Sequence, residues 1–591
     1  MKNNLIKILA LIAALASLVL FAACNGDTDG STDASGEQPQ DTQGNTSKPE
    51  AIVGDELIIF ENGAYNCQIV CSDKATEIEK SIYTKLRNRL KTATGVAPTY
   101  TTDFLAYNDS GESRKAPAIL IGETNYEESK EVYSELNYGT GIIKLIGNKL
   151  VVAFPSAEAG EALYIKLISA LTADSKEKVA MSLSAFPFSK VATPELASLP
   201  VMPEKPYATV DGGDDTYFVR LEDVDDKDFE TYKQMIAANG YTLSGTREAG
   251  NVSFATFIKN DEYIYTYYKS NSNTIRAIVG PTSHMPDTPT GETPVKTAEP
   301  TLTMVGQAYS DIGLGMVYRL PDGRFVIFDG GAKYSKDLVY KALESQQVTE
   351  KITIAAWFLT HPHIDHHGGF VEFVENHGEE VVIENIVFNF ATPTRYHAVS
   401  GEESNNGMST IRQMARHDLS GTKFIKPHTG QLLEFGGVLF EVMYTPEDYY
   451  PDNFQYLNDS SLVVRAYFEG KSILMLADAT YQAGIILTET YRDYLKSDMV
   501  QLAHHGIWAS AAVLYENIQA EVLLWPSNSA GATKWLSDSV VATALSYAKD
   551  VYLPGPKTTT IKFPYEFINN KEEFINKHTA VEEEGGETEG A

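Results

Sequence analysis

His361-Pro362-His363-Ile364-Asp365-His366-His367 gathers four imidazoles and a carboxylate into seven residues of a chain with 12 histidines in 591 positions. Pro362 forbids a continuing central strand. His361 and His363, two apart in an extended turn, can point the same way and share one ion. Asp365 and His366 follow where a helix would start and can face a second ion. Imidazole and carboxylate donors suit zinc. A pair of divalent ions a few Å apart brings a bridging water to a pKa of about 7. The hydroxide so formed attacks a phosphorus or carbonyl centre, and the ions stabilise the charge that develops. Such chemistry needs no serine or cysteine nucleophile, and the sequence offers no convincing triad.

Residues of this kind need rigid elements to aim them. Lys351 to Thr360 is nearly continuous and apolar, as a strand covered on both faces requires, and it delivers His361. Gly368-Gly369 lets the following helix pack close to the sheet.

The series Thr360-His361-Pro362-His363-Ile364-Asp365-His366-His367-Gly368-Gly369 resembles the signature of the metallo-β-lactamase superfamily. The resemblance implies an α/β fold, an αββα metallo-β-lactamase sandwich over 301–578, with two divalent metals at the edge of its sheets. Zinc is expected and manganese is allowed. It implies His361, His363, Asp365, His366, Asp478 and His504 or His505 as metal ligands, with Asp478 bridging. The histidine of the last pair that does not ligate would donate a proton or orient substrate. Asp365 and His505 are the expected catalytic residues, and Asp329 is expected to hold a ligand by hydrogen bond. One landmark departs: where many members carry Thr-Pro-Gly-His, this chain has Thr445-Pro446-Glu447-Asp448. Asp448 falls on the histidine position and is a further candidate ligand, which would harden the site toward manganese; His397, His417 and His428 are alternatives.

A closer likeness runs through Met304-Val305-Gly306-Gln307, Asp329-Gly330-Gly331, Asn458-Asp459-Ser460-Ser461, Asp478 and His504-His505-Gly506. It is similar to the hydrolase domain of the competence protein that internalises DNA and to phosphorylcholine esterase, and it implies phosphodiester hydrolysis. Two positions near the site differ from that branch: Ala308-Tyr309-Ser310 follows Gly306-Gln307, and Ile507 follows Gly506.

The remainder of the chain reads as address and support. Lys2 and Lys7 precede an apolar stretch ending Leu20-Phe21-Ala22-Ala23-Cys24, which resembles a bacterial lipobox. The expectation is a lipoprotein signal peptide over 1–24, acylation at Cys24, and anchoring at the extracellular face of the cytoplasmic membrane. Residues 25–54 are polar and read as a disordered tether. Two small α+β domains follow, over 55–200 and 205–280, then a linker over 281–300. In the first, Ile78, Ile82, Leu86 and Leu90 recur every four residues on one helix face, with Gly95 as C-cap. Its Ala118-Ile119-Leu120-Ile121-Gly122-Glu123 and Gly160-Glu161-Ala162-Leu163-Tyr164 resemble the accessory domain found before some glycoside hydrolase barrels; no barrel follows here. Cys67 and Cys71, about 13 Å apart on a strand, read as buried thiols rather than a disulfide. The tail over 579–591 is acidic and solvated.

Composition narrows the substrate. With 43% hydrophobic residues the chain has ample core, and Lys+Arg 48 against Asp+Glu 79 gives a net charge of −31. That charge disfavours nucleic acid as a partner. Trp508, Trp525 and Trp535 follow the last ligand strand, and Tyr444, Tyr449, Tyr450 and Tyr456 surround Asp448. Aromatics with carboxylates would suit a cationic group. Together with the resemblance, which supplies the phosphodiester preference, the sequence points to an extracytoplasmic metal-dependent phosphodiesterase acting on a small molecule or a cell-wall polymer. The alternatives are a competence-type nuclease or nucleotidase, and a non-catalytic glycan-binding surface lipoprotein.

Overall fold

Phe328 and Phe358 stack with ring centroids 4.5 Å apart, in the layer that joins two large sheets of the C-terminal half. The chain is seen in a computed structural model that describes residues 51–579 apart from 105–111, 192, 203–204, 294, 307–311, 393–394, most positions over 397–420, and 555–557. The signal peptide, Cys24, most of the tether, Gln307 to Ser310, His397, His417 and the acidic tail therefore lie outside the described residues.

One of the two sheets has eight strands. Its centre is Ile352–Phe358, which lies parallel to Phe325–Phe328 on one side and to Asn385–Val387 on the other. Beyond Phe325–Phe328 come Met316–Arg319, Thr301–Met304 and finally Thr559–Lys562, all antiparallel. The other sheet has seven strands. There Lys471–Met475, Met499–Gln501, Val522–Leu524 and Asp550–Tyr552 run parallel. Val438–Tyr444 and Val463–Phe468 continue the sheet antiparallel.

The residue pattern explains the layering. Along Ile352–Phe358 every residue but one is buried, as a strand covered on both faces demands. Ala356 and Phe358 point into the layer between the sheets, with Phe440, Phe468 and Met475. Ile354 and Trp357 point outward, where Phe370 and Phe373 of helix Ile364–His377 cover them. Each buried aromatic or aliphatic side chain is worth roughly 1.5–3 kcal/mol. Helices Tyr481–Tyr491, Ala512–Ile518 and Ser539–Tyr547 supply the outer layer on the opposite side. The result is the expected helix–sheet–sheet–helix sandwich.

A six-stranded antiparallel sheet precedes it, formed by Tyr207–Gly213, Thr216–Leu221, Thr242–Ala249, Val252–Lys259, Glu262–Lys269 and Thr274–Pro281. The first two strands are a hairpin absent from the sequence reading. Its turn is made by Asp214 and Asp215, both at positive φ, a tight-turn signal. Side chains alternate across Glu262–Lys269. Tyr263, Tyr265 and Tyr267 join the core of the C-terminal sandwich, while Ile264 and Tyr268 pack toward helix Asp226–Ala238. Polar pins cross the same boundary: Lys426 donates to the Gly212 and Gly213 carbonyls at 2.7 Å, and the Tyr265 hydroxyl to the Thr429 carbonyl at 2.8 Å. The middle sheet is thus continuous with the sandwich rather than strung on a linker, and Ala51–Ala591 forms one compact unit.

The first part holds two five-stranded sheets. Helix Glu77–Thr94 starts with a capping box between Thr76 and Glu79 and stops at Gly95, whose φ of 82° only glycine adopts freely. Cys67 and Cys71 are buried free thiols. No helix among the described residues is long and apolar enough to cross a membrane.

Candidate metal centre

Four parallel strands end beside one another at the carboxyl edge of the two sheets, and each turns a polar side chain into the same cleft. The turns are made by left-handed residues: Asp329 (φ 53°), Ala477 (φ 49°), His504 (φ 49°) and His505 (φ 56°). Non-glycine residues rarely hold this conformation, and it concentrates at functional sites. The fourth strand end is Thr360-His361-Pro362-His363. His363 is extended (φ −83°, ψ 146°) and caps helix Ile364–His377. Asp365 then sits in the first helical turn, where a carboxylate is favoured by the helix dipole.

Two groups of donors result. Asp365, His366, Asp478 and His505 form one, and His361, His363 and Asp478 form the other, each with ligand atoms within 4.8 Å of one another. Asp478 belongs to both. His505 Nε2 lies 3.2 Å from Asp365 Oδ2 and 3.5 Å from Asp478 Oδ2. His366 Nε2 lies 3.2 Å from Asp478 Oδ1, and His361 Nε2 lies 3.8 Å from Asp478 Oδ2.

The imidazoles are held from behind. Asp329 is fully buried. It accepts from the Thr360 amide at 2.8 Å and the Thr360 hydroxyl at 2.7 Å, and its Oδ2 lies 2.8 Å from His366 Nδ1. A proton on Nδ1 leaves the His366 Nε2 lone pair facing the cleft, the orientation metal-binding histidines need. His505 Nδ1 lies 3.1 Å from the Pro526 carbonyl, and the Trp525 indole donates to the His505 carbonyl at 2.8 Å. Gly330 and Gly369 allow the close approach behind the signature. The Gly330 amide donates to the His366 carbonyl at 2.7 Å and the Gly369 amide to the Gly331 carbonyl at 2.8 Å. A Cβ on Gly369 would run into the Gly330 carbonyl.

The donor set fits a metal. His366 Nε2, His505 Nε2 and Asp478 Oδ1 are buried and have no hydrogen-bond partner. Buried polar atoms left this way are rare and costly; a cation among them would satisfy all three. The charges point the same way. Burial opposes ionisation of Asp478, but His366, His505 and His504 outweigh it and hold the carboxyl well below the usual carboxylate range. Burial likewise lowers His505, but Asp478 and Asp365 lift it to about 9. Protonated imidazoles here supply the positive charge that a bound ion would bring, so binding would release protons.

The structure separates the two histidines that the sequence could not. His505 is buried within the four-donor group. His504 is part-exposed at the mouth, its Nε2 3.9 Å from Asp478 Oδ2. Asp448 requires a correction: it is not gathered with the other candidates. It is buried 3.2 Å from Lys269 Nζ, accepts from Thr429 Oγ1 at 2.5 Å, and caps its own short helix by accepting from the Thr445 amide. Lys269 comes from the middle sheet, which the sequence reading left without a role. His428 is likewise committed elsewhere, its Nδ1 2.7 Å from Glu447 Oε1 and its Nε2 against the Tyr263 hydroxyl.

The aromatic wall is mostly core. Tyr444, Tyr450 and Trp525 are buried, whereas Trp508 stands 73% exposed beside His504. Sequence reasoning missed the carbonyl of Pro526 and the Thr360 hydroxyl. Backbone acceptors leave no trace in residue types, but Thr360 lies within the signature itself.

Residues 311–524 match the family described as the Metallo-beta-lactamase superfamily. No curated protein matches the chain. Among solved structures, a CmlA beta-hydroxylase mutant is 14% identical over 45% of this chain and 54% of its own, with a TM-score of 0.28. The chain thus spans about half the length of that protein. A mutant metallo-beta-lactamase from Cronobacter sakazakii is 14% identical over 48% of this chain and 92% of its own, with a TM-score of 0.22. A long form RNase Z from yeast is 10% identical over 49% of this chain and 44% of its own, with a TM-score of 0.30. The C-terminal half of the chain carries a metallo-β-lactamase superfamily domain.

Proposed function

We propose that the protein is an extracytoplasmic, metal-dependent phosphodiesterase, anchored through Cys24, that acts on a small phosphodiester or a cell-wall polymer. The observation that carries this reading is the pair of donor groups sharing Asp478, with three buried atoms that lack partners. Divalent ions held there, zinc or manganese, would supply an activated water and offset charge developing on the phosphoryl oxygens. The chain's own residues do the remaining work. Asp329 and Pro526 fix the tautomers of His366 and His505. Asp365 and Asp478 keep the cleft anionic, so that it selects a cation. His504 stands at the mouth, able to give a proton to a departing alkoxide.

Hydrolysis of bis-p-nitrophenyl phosphate by the metal-supplied protein, compared with His363→Ala, tests the activity. The variant is expected to lose at least a hundredfold, about 2.7 kcal/mol of transition-state stabilisation. Equal rates in the two proteins would end the reading. Cys24→Ala is expected to move the protein from the membrane fraction to the soluble one; retention in the membrane would refute the anchor.

A further inference from the structure

Among the described residues the three most exposed aromatic side chains are Trp508 (73%), Tyr456 (67%) and Tyr481 (65%). All three stand on segments that open from the metal centre. Trp508 is four residues past His504, and the two rings lie 6.4 Å apart. Tyr481 starts the helix that follows Asp478, and Tyr456 precedes the turn Leu457–Ser460. One chain of hydrogen bonds ties these segments together. The Ser510 hydroxyl donates to the Thr480 carbonyl at 2.9 Å, and the Thr480 hydroxyl donates to Asp459 at 2.6 Å. Asp459 in turn accepts from the Gln455 and Tyr456 amides at 3.1 and 3.0 Å. Trp508 and Ser510 are left-handed, with φ of 48° and 70°. Residues other than glycine rarely hold that conformation, yet here it keeps an indole in solvent, where burial contributes nothing. A single exposed apolar residue needs no explanation, but aromatics grouped around one cleft mark a contact surface.

Gln455 and Gln482, the chain neighbours of Tyr456 and Tyr481, line a cavity of about 490 Å³, within the range of small-molecule sites. Its walls include Asp452, Asn453 and, from the middle sheet, Arg220. Arg220 brings a buried Nε that has no hydrogen-bond partner. A sugar ring needs this combination. Its C–H faces lie on aromatic rings, and its hydroxyls, each a donor and an acceptor, pair with planar amides, carboxylates and guanidinium groups. A cationic ligand fits less well, because Arg220 is within electrostatic reach of Arg276 and Lys269 and the cavity already borders on positive charge.

From the exposed rings of Trp508, Tyr456 and Tyr481 and the polar cavity beside Gln455 and Gln482, we infer that the mouth of the cleft is a binding site for a neutral glycosyl residue. The rings supply stacking faces, and Arg220, Asp452, Asn453 and the two glutamines read the hydroxyls. On the phosphodiesterase reading above, that sugar belongs to the substrate and sits next to the phosphorus that is attacked.

The test titrates the full chain with maltotriose, cellotriose and triacetylchitotriose and follows tryptophan emission. The four tryptophans all lie in the C-terminal sandwich, so a sugar held by the first part of the chain is silent. Trp357 and Trp525 are sealed in the core, which leaves Trp508, with Trp535 beside it, to report on the mouth. At least one trisaccharide is expected to give a saturable blue shift, and Trp508→Ala is expected to abolish it. Tyr456→Ala and Tyr481→Ala keep the reporter and are each expected to weaken that sugar about fivefold, the loss of one stacked ring. No shift with any trisaccharide, a shift with choline or adenosine in their place, or undiminished affinity in both tyrosine variants would overturn the inference. Hydrolysis of bis-p-nitrophenyl phosphate would in that case still uphold the proposed function. Sugar binding by a metal-supplied protein inert toward phosphodiesters would uphold the site and end the phosphodiesterase reading.

Discussion

Asp448→Asn separates a strut from a ligand. The carboxylate lies 3.2 Å from the Lys269 ammonium with both side chains almost fully buried. Removing one partner of such a pair ordinarily costs about 3–5 kcal/mol, because the other charge is stranded. Lys269 has an escape. Burial first, opposed by the attraction of Asp448, already holds it at about 8 against an ordinary 10.5. At pH 7 its protonated form is therefore favoured by only about one pKa unit, or about 1.4 kcal/mol. With asparagine opposite, Lys269 sheds its proton, and the charge contribution to the loss cannot exceed that amount. Weakened hydrogen bonds from Thr429 and the Thr445 amide add about 1 kcal/mol. The expected cost at pH 7 is thus about 2–3 kcal/mol, read from denaturant midpoints. Because the folded value lies below the unfolded one, the wild type gains stability as pH rises from about 8 toward 10.5. In the variant that gain begins at lower pH, so the difference between the two proteins shrinks as pH rises toward 8 and is constant above it. Metal content should be unchanged. A variant that loses a tightly held ion at undiminished stability, or whose deficit grows with pH, would refute the argument.

Asp329→Ala removes the acceptor that orients His366, and zinc affinity measured by competition with a chromogenic chelator should fall 10–100-fold. Gly369→Ala forces a methyl group against the Gly330 carbonyl; overpacking of this kind costs about 1–3 kcal/mol, and thermal unfolding should show it even in metal-free protein. Burial pushes the Cys67 thiol up to about 12, so a disulfide reagent at pH 8 should label Cys67 in denaturant and leave it untouched in the native protein.

The metal centre was legible wherever donors are local. His361 to His366 occupy one turn and one helix start, so spacing alone predicts their convergence. Asp478 and the pair His504-His505 are legible only through the family resemblance, which says which strand ends to inspect. His504 and His505 could not be told apart, since their roles depend on consecutive left-handed residues that residue type does not announce. Asp448 was misplaced for a different reason. Its partner Lys269 lies 179 residues away on another sheet, and a pairing at that distance has no periodicity to betray it. The hairpin from Tyr207 to Leu221 turns on Asp214-Asp215 rather than on the Asn-Gly or Asp-Gly pair that announces such a turn in a sequence. The middle sheet looked separable for a related reason: alternation in Glu262–Lys269 shows that both faces are apolar, but not what covers them.

The pairing of Thr559–Lys562 with Thr301–Met304 joins the two ends of the C-terminal sandwich. His361 to His366 leave the ribosome long before His505, and the strand that closes the first sheet comes later still. The donor groups therefore cannot come together before the segment carrying His505 has been made. If they hold zinc, its uptake by a refolding sample would report the joining of both sheets rather than formation of the signature turn alone.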